Sequence, residues 1–283
     1  MFNMIRSDFY RMVRMKSFYI ILIIICVMNL ASFAASKAVQ EDEAYMEYME
    51  KTAAQEEAKG DAGASDIGMS ILIQADPDGK FEVYMLIKEF MGGYMGLLFL
   101  GIFAVIFASA DFNNGYIKNY GGQLRFRTRI MCSKSVCLVA YTAVLFILFV
   151  FSFLLGVWIS GSGVKVSDVG KLVDLLSVQF LLHVAFATVI TAICVIVRSN
   201  LIAMAICGCI AMNILRVFYG LADKGLKKLG WKKADIAHYT VTGRIAEYAS
   251  DGKMLCSTII IAVAFIAAAF LAGGLWLRKK DLV

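Results

Sequence analysis

The groups in this chain able to engage another molecule are concentrated in one stretch, 111–134, reading DFNNGYIKNYGGQLRFRTRIMCSK. It carries five bases, Lys118, Arg125, Arg127, Arg129 and Lys134, and one acid, Asp111. Such a spacing offers a charged contact surface and no catalytic set. Asn113-Asn114-Gly115 and Gly121-Gly122 are turn signals, leaving room for one short helix before Lys134. Elsewhere the residues for covalent or metal chemistry are scattered. His183 and His238 stand apart from one another. The seven cysteines (26, 132, 137, 194, 207, 209, 256) lie in or beside apolar runs. Cys207-Gly208-Cys209 is too tight for a structural zinc site, so the thiols read as small buried side chains. No G-x-x-x-x-G-K-[ST], H-E-x-x-H or G-x-S-x-G motif occurs. An enzyme is not supported, and no cofactor or metal is implied.

The elements around that stretch are apolar. Hydrophobic residues make up 60% of 283, with 18% charged and one proline, and mean hydropathy is +0.73. Crossing a bilayer takes roughly 20 mostly apolar residues. Six runs qualify: Phe18–Ser36, Phe90–Ala110, Ser135–Ile159, Val178–Val197, Leu201–Tyr219 and Leu255–Leu277. The fold class expected is an all-α membrane protein with six transmembrane helices. A basic segment between two spans belongs in the cytoplasm by the positive-inside rule, which places 111–134 and both termini there. The net charge of +6 gathers near span ends, where it sets orientation and signals no nucleic acid. No span carries the acid of a coupled carrier, and none is interrupted by proline as in broken-helix carriers.

The flanking segments divide by charge. Residues 1–17 place Phe2, Ile5, Phe9, Met12 and Val13 at helical spacing, with Arg6, Arg11, Arg14 and Lys16 mostly off that face. This is either an amphipathic helix resting on membrane lipid or a basic tail orienting span 1. It does not read as a cleavable signal peptide. In span 1, Asn29 is expected to face other helices. Residues 37–89 hold thirteen acids against five bases, a balance of −8, and form an extracellular acidic insert: either a solvated loop or one whose field attracts cationic ligands. Ser36 to Lys59 reads as a helix, and Asp76-Pro77-Asp78-Gly79 as a type I turn. Gly92-x-x-x-Gly96 would allow close helix approach in span 2. Within span 4, His183 is expected to make an inter-helix hydrogen bond in preference to relaying protons. Arg198-Ser199-Asn200 is a tight turn. Residues 220–254 form an extracellular loop whose basic balance opposes the positive-inside rule. Its 226–233 portion looks interfacial. The tail 278–283 anchors span 6 on the cytoplasmic side.

Three features resemble the permease subunits of the type-2 ABC exporter family. Ile5-Arg6-Ser7-Asp8-Phe9-Tyr10-Arg11-Met12-Val13-Arg14 is similar to the amphipathic elbow helix before that family's first span. Asp111-Phe112-Asn113-Asn114-Gly115-Tyr116-Ile117-Lys118-Asn119 resembles its acid-aromatic-x-x-Gly-Thr-x-Lys-Asn pattern, which leads into a cytoplasmic coupling helix between spans 2 and 3. Asp111 replaces the commoner Glu, and Tyr116 the usual Thr. The third feature is the six-span layout. The resemblance implies a permease paired with a second copy or a sister chain, and two copies of a cytoplasmic ABC ATPase subunit. It implies ATP-driven export of a peptide, lipid-like or drug-like substrate, with a looser likeness to permeases of antimicrobial-peptide resistance. Asp111, Gly115, Lys118, Gly121, Arg125, Arg127 and Arg129 would then form the ATPase-docking surface, although for the arginines membrane orientation alone is an equal explanation. The rival is a non-transporting sensor or immunity protein that binds a cationic peptide through the acidic insert.

Overall fold

The computed structural model describes residues 2–40, 81–92, 94–113, 128–160, 164–165, 168–228, 235–251 and 255–279. Residues 41–80 of the insert 37–89 and most of the basic stretch, 114–127, lie outside them. The described chain is helical apart from one two-residue parallel pairing, Phe81↔Val164 and Glu82↔Lys165.

Among the described residues four helices are long and apolar enough to cross a membrane, and up to six spans result if each of two bent pairs counts as one. The protein is a multi-pass helical membrane protein. The four are α4 (Met95–Asn113), α5 (Thr128–Ser160), α6 (Val169–Val197) and α10 (Leu255–Lys279). They are apolar all round, as helices bathed in lipid or buried among others must be. At 1.5 Å per residue, the 33 residues of α5 reach about 50 Å, beyond a hydrocarbon core of about 30 Å. Both α5 and α6 begin well before the apolar runs that mark them in sequence. Asp168 caps the start of α6, accepting from the Lys171 backbone N–H at 3.2 Å. That bond and the Lys171 ammonium hold the Asp168 carboxyl below the usual carboxylate range.

The first bent pair is α1 (Phe2–Arg14) and α2 (Lys16–Gln40), which meet at 57°. The second is α7 (Asn200–Ala211) and α8 (Arg216–Lys228), at 63°. The expected straight span over Leu201–Tyr219 is therefore corrected: it breaks between Ala211 and Arg216, where Asn213 takes φ 54°. The expected span Phe90–Ala110 breaks as well. Its first residues belong to α3 (Val83–Gly92), and Tyr94 takes φ 60° before α4 begins. Gly92 and Gly96 thus sit on two different helices and do not present one small-residue face. Neither break needs proline. The segment 220–254 is not a plain loop, since it holds the end of α8 and all of α9 (Val241–Asp251).

Helix α6 is the centre of the bundle, packed by α4, α5, α9 and α10. α10 meets α6 and α5 along one side, through Ala262, Ala269 and Gly273, and turns Ile260, Val263, Leu271 and Leu275 outward. An apolar exterior is what lipid requires. Inside, polar side chains pair up. Asn29 Nδ2 donates to Ser152 Oγ at 2.8 Å across α2 and α5. His183 is buried, and its Nδ1 lies 2.7 Å from the Gln179 carbonyl, so Nδ1 carries the proton and donates. That bond stays within α6, one turn back, where an inter-helix bond had been expected. Gln179 makes the inter-helix bond instead, donating to the Ile245 carbonyl of α9 at 2.8 Å.

Candidate functional site

Four helix segments converge where the basic stretch begins and ends: α1, the end of α4, the start of α5, and the α6–α7 turn. The expected helix over 1–17 exists as α1, but its faces are distributed differently. Met12 is buried and Ile5 half-buried, whereas Phe2 and Phe9 are exposed. The buried stripe of α1 includes an acid, Asp8, with Met12 one turn on. α1 lies along the start of α5, where Ser133 Oγ donates to Asp8 Oδ2 and Cys137 Sγ approaches the Ile5 carbonyl at 3.9 Å.

Asp111 is the hub. It falls in the last turn of α4, inside the helix and not in the loop beyond it. Its side chain is 8% exposed. Arg11 donates through Nη1 to Asp111 Oδ1 at 2.7 Å, and through Nη2 to Asp8. Lys134 Nζ sits 3.0 Å from Asp111 Oδ2. It also donates to the Phe107 carbonyl at 2.9 Å and lies 4.1 Å from the centre of the Phe107 ring. Two carboxylates thus face two cations, each carboxylate with more than one donor. A buried charge without a partner costs several kcal/mol, so a closed set of this kind is the arrangement that permits burial at all. Lys134 also rests at the C-terminal end of α4, where the helix dipole favours a cation.

The cluster continues inward as a column of rings. Phe107 stacks beside Phe103 with centroids 5.9 Å apart. Tyr141 of α5 stacks on Phe103 at 3.7 Å, and Phe18 of α2 meets Tyr141 edge-on at 5.4 Å. The rings thus join α2, α4 and α5 directly beside the Asp111 cluster. The α6–α7 turn joins from the other side. Arg198 takes φ 56° and returns its backbone N–H to the Cys194 carbonyl, closing α6. Its guanidinium lies 5.9 Å from the Phe112 ring centre, and Ser109 Oγ lies 3.2 Å from Asn200 Oδ1.

Of the seven residues assigned to a docking surface, the structure describes Asp111 and Arg129. Arg129 is half-buried in the first turn of α5. Gly115, Lys118, Gly121, Arg125 and Arg127 lie outside the described residues. Asp111 is oriented into the protein and paired there with Arg11 and Lys134. Asp8, Arg11 and Ser133 had no place in the expected site, and Lys134 was counted only as one base of the stretch.

At the opposite end of α4, Asn213 Nδ2 donates to Tyr94 Oη at 3.0 Å, tying the two left-handed breaks together. Between the ends, α4 and α7 approach closely: a Cβ placed on Gly101 would run into Cys207 Sγ. Gly101 therefore marks a close helix crossing. His238 is also partnered. Arg244 Nη2 donates to His238 Nε2 at 2.7 Å, which leaves Nδ1 as the protonated nitrogen, donating to Glu247 Oε1 at 3.0 Å. Among the described residues no group of acids, histidines and cysteines could hold a metal ion. No protein-family model matches the chain, and no curated protein matches its sequence.

Proposed function

We propose that this chain is the transmembrane permease subunit of an ATP-driven exporter, powered by a separate cytoplasmic ATPase. The observation that supports this reading is the Asp8–Arg11–Asp111–Lys134 cluster. It ties α1 to both helices from which 114–127 is suspended. A partner pressing on that segment would act on the first helix and on two spans at once. The bases of 111–134 supply the charge for the contact, and the positive-inside rule puts that end in the cytoplasm. Here α1 is the elbow and 114–127 holds the coupling segment. Asp111 acts as a fulcrum behind the contact, and Gly115, Lys118, Gly121, Arg125, Arg127 and Arg129 shape or charge it. The complex contains two ATPase copies and two permeases, identical or sister chains.

The test is co-purification of the native complex, with identification of its partners, before and after reversal of Arg125, Arg127 and Arg129 to Glu. The expected outcome is a nucleotide-hydrolysing partner that the reversal releases. A complex with no such partner, or one whose association and substrate-stimulated hydrolysis ignore the reversal, rules the reading out.

A further inference from the structure

Helix α8 has an unusual position for a segment that follows a membrane helix. None of its residues is buried. Val217, Phe218, Leu221 and Ala222 occupy its first two turns, and Lys224, Lys227 and Lys228 its basic end. Lys227 stands opposite the apolar residues, whereas Lys224 and Lys228 follow Val217 and Leu221 two turns on. Val217, Phe218 and Leu221 are 50%, 62% and 61% exposed, and the three lysines are exposed too. An apolar start followed by a basic end, both exposed among the described residues, suits a helix passing from acyl chains to headgroups, where long lysine side chains reach outward to the charged layer.

The break at Asn213 explains how it gets there. The 12 residues of α7 cover about 18 Å of a core of about 30 Å. α8 leaves at 63° to α7. Its 13 residues therefore advance only on the order of 9 Å further along α7's direction. The helix emerges obliquely, with its apolar start among acyl chains and its basic end among headgroups. Its one acid is occupied elsewhere: Asp223 Oδ1 accepts the Ile236 backbone N–H at 3.0 Å, which fixes the next segment against α8. The charge left outward is positive.

We infer that α8 is a membrane-surface helix that binds anionic phospholipid headgroups through Lys224, Lys227 and Lys228, with Val217, Phe218 and Leu221 in the acyl boundary. The inference goes beyond the export reading and does not depend on an ATPase.

The test uses the full chain carrying Phe218→Trp, in vesicles of phosphatidylcholine with one quarter phosphatidylglycerol. Bromine is placed on the chains of one lipid or the other, and the quenching of the parent protein's own tryptophans is subtracted. Quenching at position 218 is expected from both lipids, with a several-fold preference for phosphatidylglycerol. Lys224, Lys227 and Lys228 changed together to Gln should abolish that preference, and raised salt should lower it in smaller measure. Lys227→Gln alone should remove part of it, and Lys171→Gln, on an exposed residue of α6, should leave it unchanged. No quenching from either lipid would mean that protein covers this face, a second copy or residues 41–80, and would overturn the inference. Equal quenching by the two lipids, or a preference that survives the triple substitution, would overturn it as well.

Discussion

Asn213 and Tyr94 lie 119 residues apart in sequence, yet each is a left-handed residue at a helix break, and the two side chains share a hydrogen bond of 3.0 Å. A positive φ in a residue as bulky as Tyr is held only by its surroundings. The bond makes the α3–α4 break and the α7–α8 break parts of one structure.

Removing that bond should loosen both breaks. Tyr94→Phe leaves the buried Asn213 amide short of an acceptor, at a cost of about 1–3 kcal/mol. Thermal unfolding in detergent should show it. Asn213→Gly should be milder than Asn213→Ala, because glycine takes the left-handed conformation without strain. Equal losses from the two would mean that backbone conformation contributes nothing at this site.

The ion cluster makes a second prediction. Asp111→Ala leaves Arg11 and Lys134 facing each other without their shared carboxylate, a loss of roughly 3–5 kcal/mol for a broken buried pair. Lys134→Met should cost less in the Asp111→Ala background than alone, since there the lysine has lost its carboxylate. The double-mutant cycle should return a coupling of about 0.5–3 kcal/mol. Additive losses would show that the two groups do not act as a pair.

At the α4–α7 crossing, Gly101→Ala should destabilise by about 1–3 kcal/mol through overpacking. The nearest atom in the way is Cys207 Sγ, with the Phe186 ring next. Cys207→Ala added to Gly101→Ala should recover most of the loss, as read by the unfolding midpoint of the three variants side by side.

Asp168 gives a pH dependence. Its carboxyl is held below its ordinary value by the Lys171 backbone N–H and then by the Lys171 side chain. A depressed carboxylate stabilises the folded state above its unfolded pKa and loses that contribution as pH falls through the lower folded value. Hydrogen exchange of the first turn of α6 should be slower in the wild type than in Asp168→Ala at neutral pH. The difference should shrink as the medium falls below the ordinary Asp value of about 3.8. A difference that persists at the acid end would assign the cap to something other than charge.

The long apolar runs were legible because membrane crossing is a matter of length and composition, and Leu255–Leu277 emerges as a candidate span with unchanged bounds. The breaks were not legible. Neither Tyr94 nor Asn213 is a breaker by type, and what holds each is a partner more than a hundred residues away. Composition also hid the site. Asp8 and Arg11 look like the polar face of a surface helix, and only the fold shows that this face turns inward. Asp111 reads as one acid among five bases, whereas two of the cations near it, Arg11 and Lys134, come from either side of it in sequence. A usable signal was present: an acid and a base at i and i+3 on α1, and opposite charges at the ends of neighbouring runs. The assumption that charge beside a span faces water concealed it. Residues 41–80 of the acidic insert and the centre of the basic stretch lie outside the described residues.

The quartet of Asp8, Arg11, Asp111 and Lys134 sums to zero. A single elementary charge carried across the bilayer exchanges about 2.3 kcal/mol with each 100 mV of potential. A neutral group moving as a unit exchanges almost none. These four side chains, shifted together, would therefore carry no net charge through the membrane field, whether the membrane is energised or depolarised.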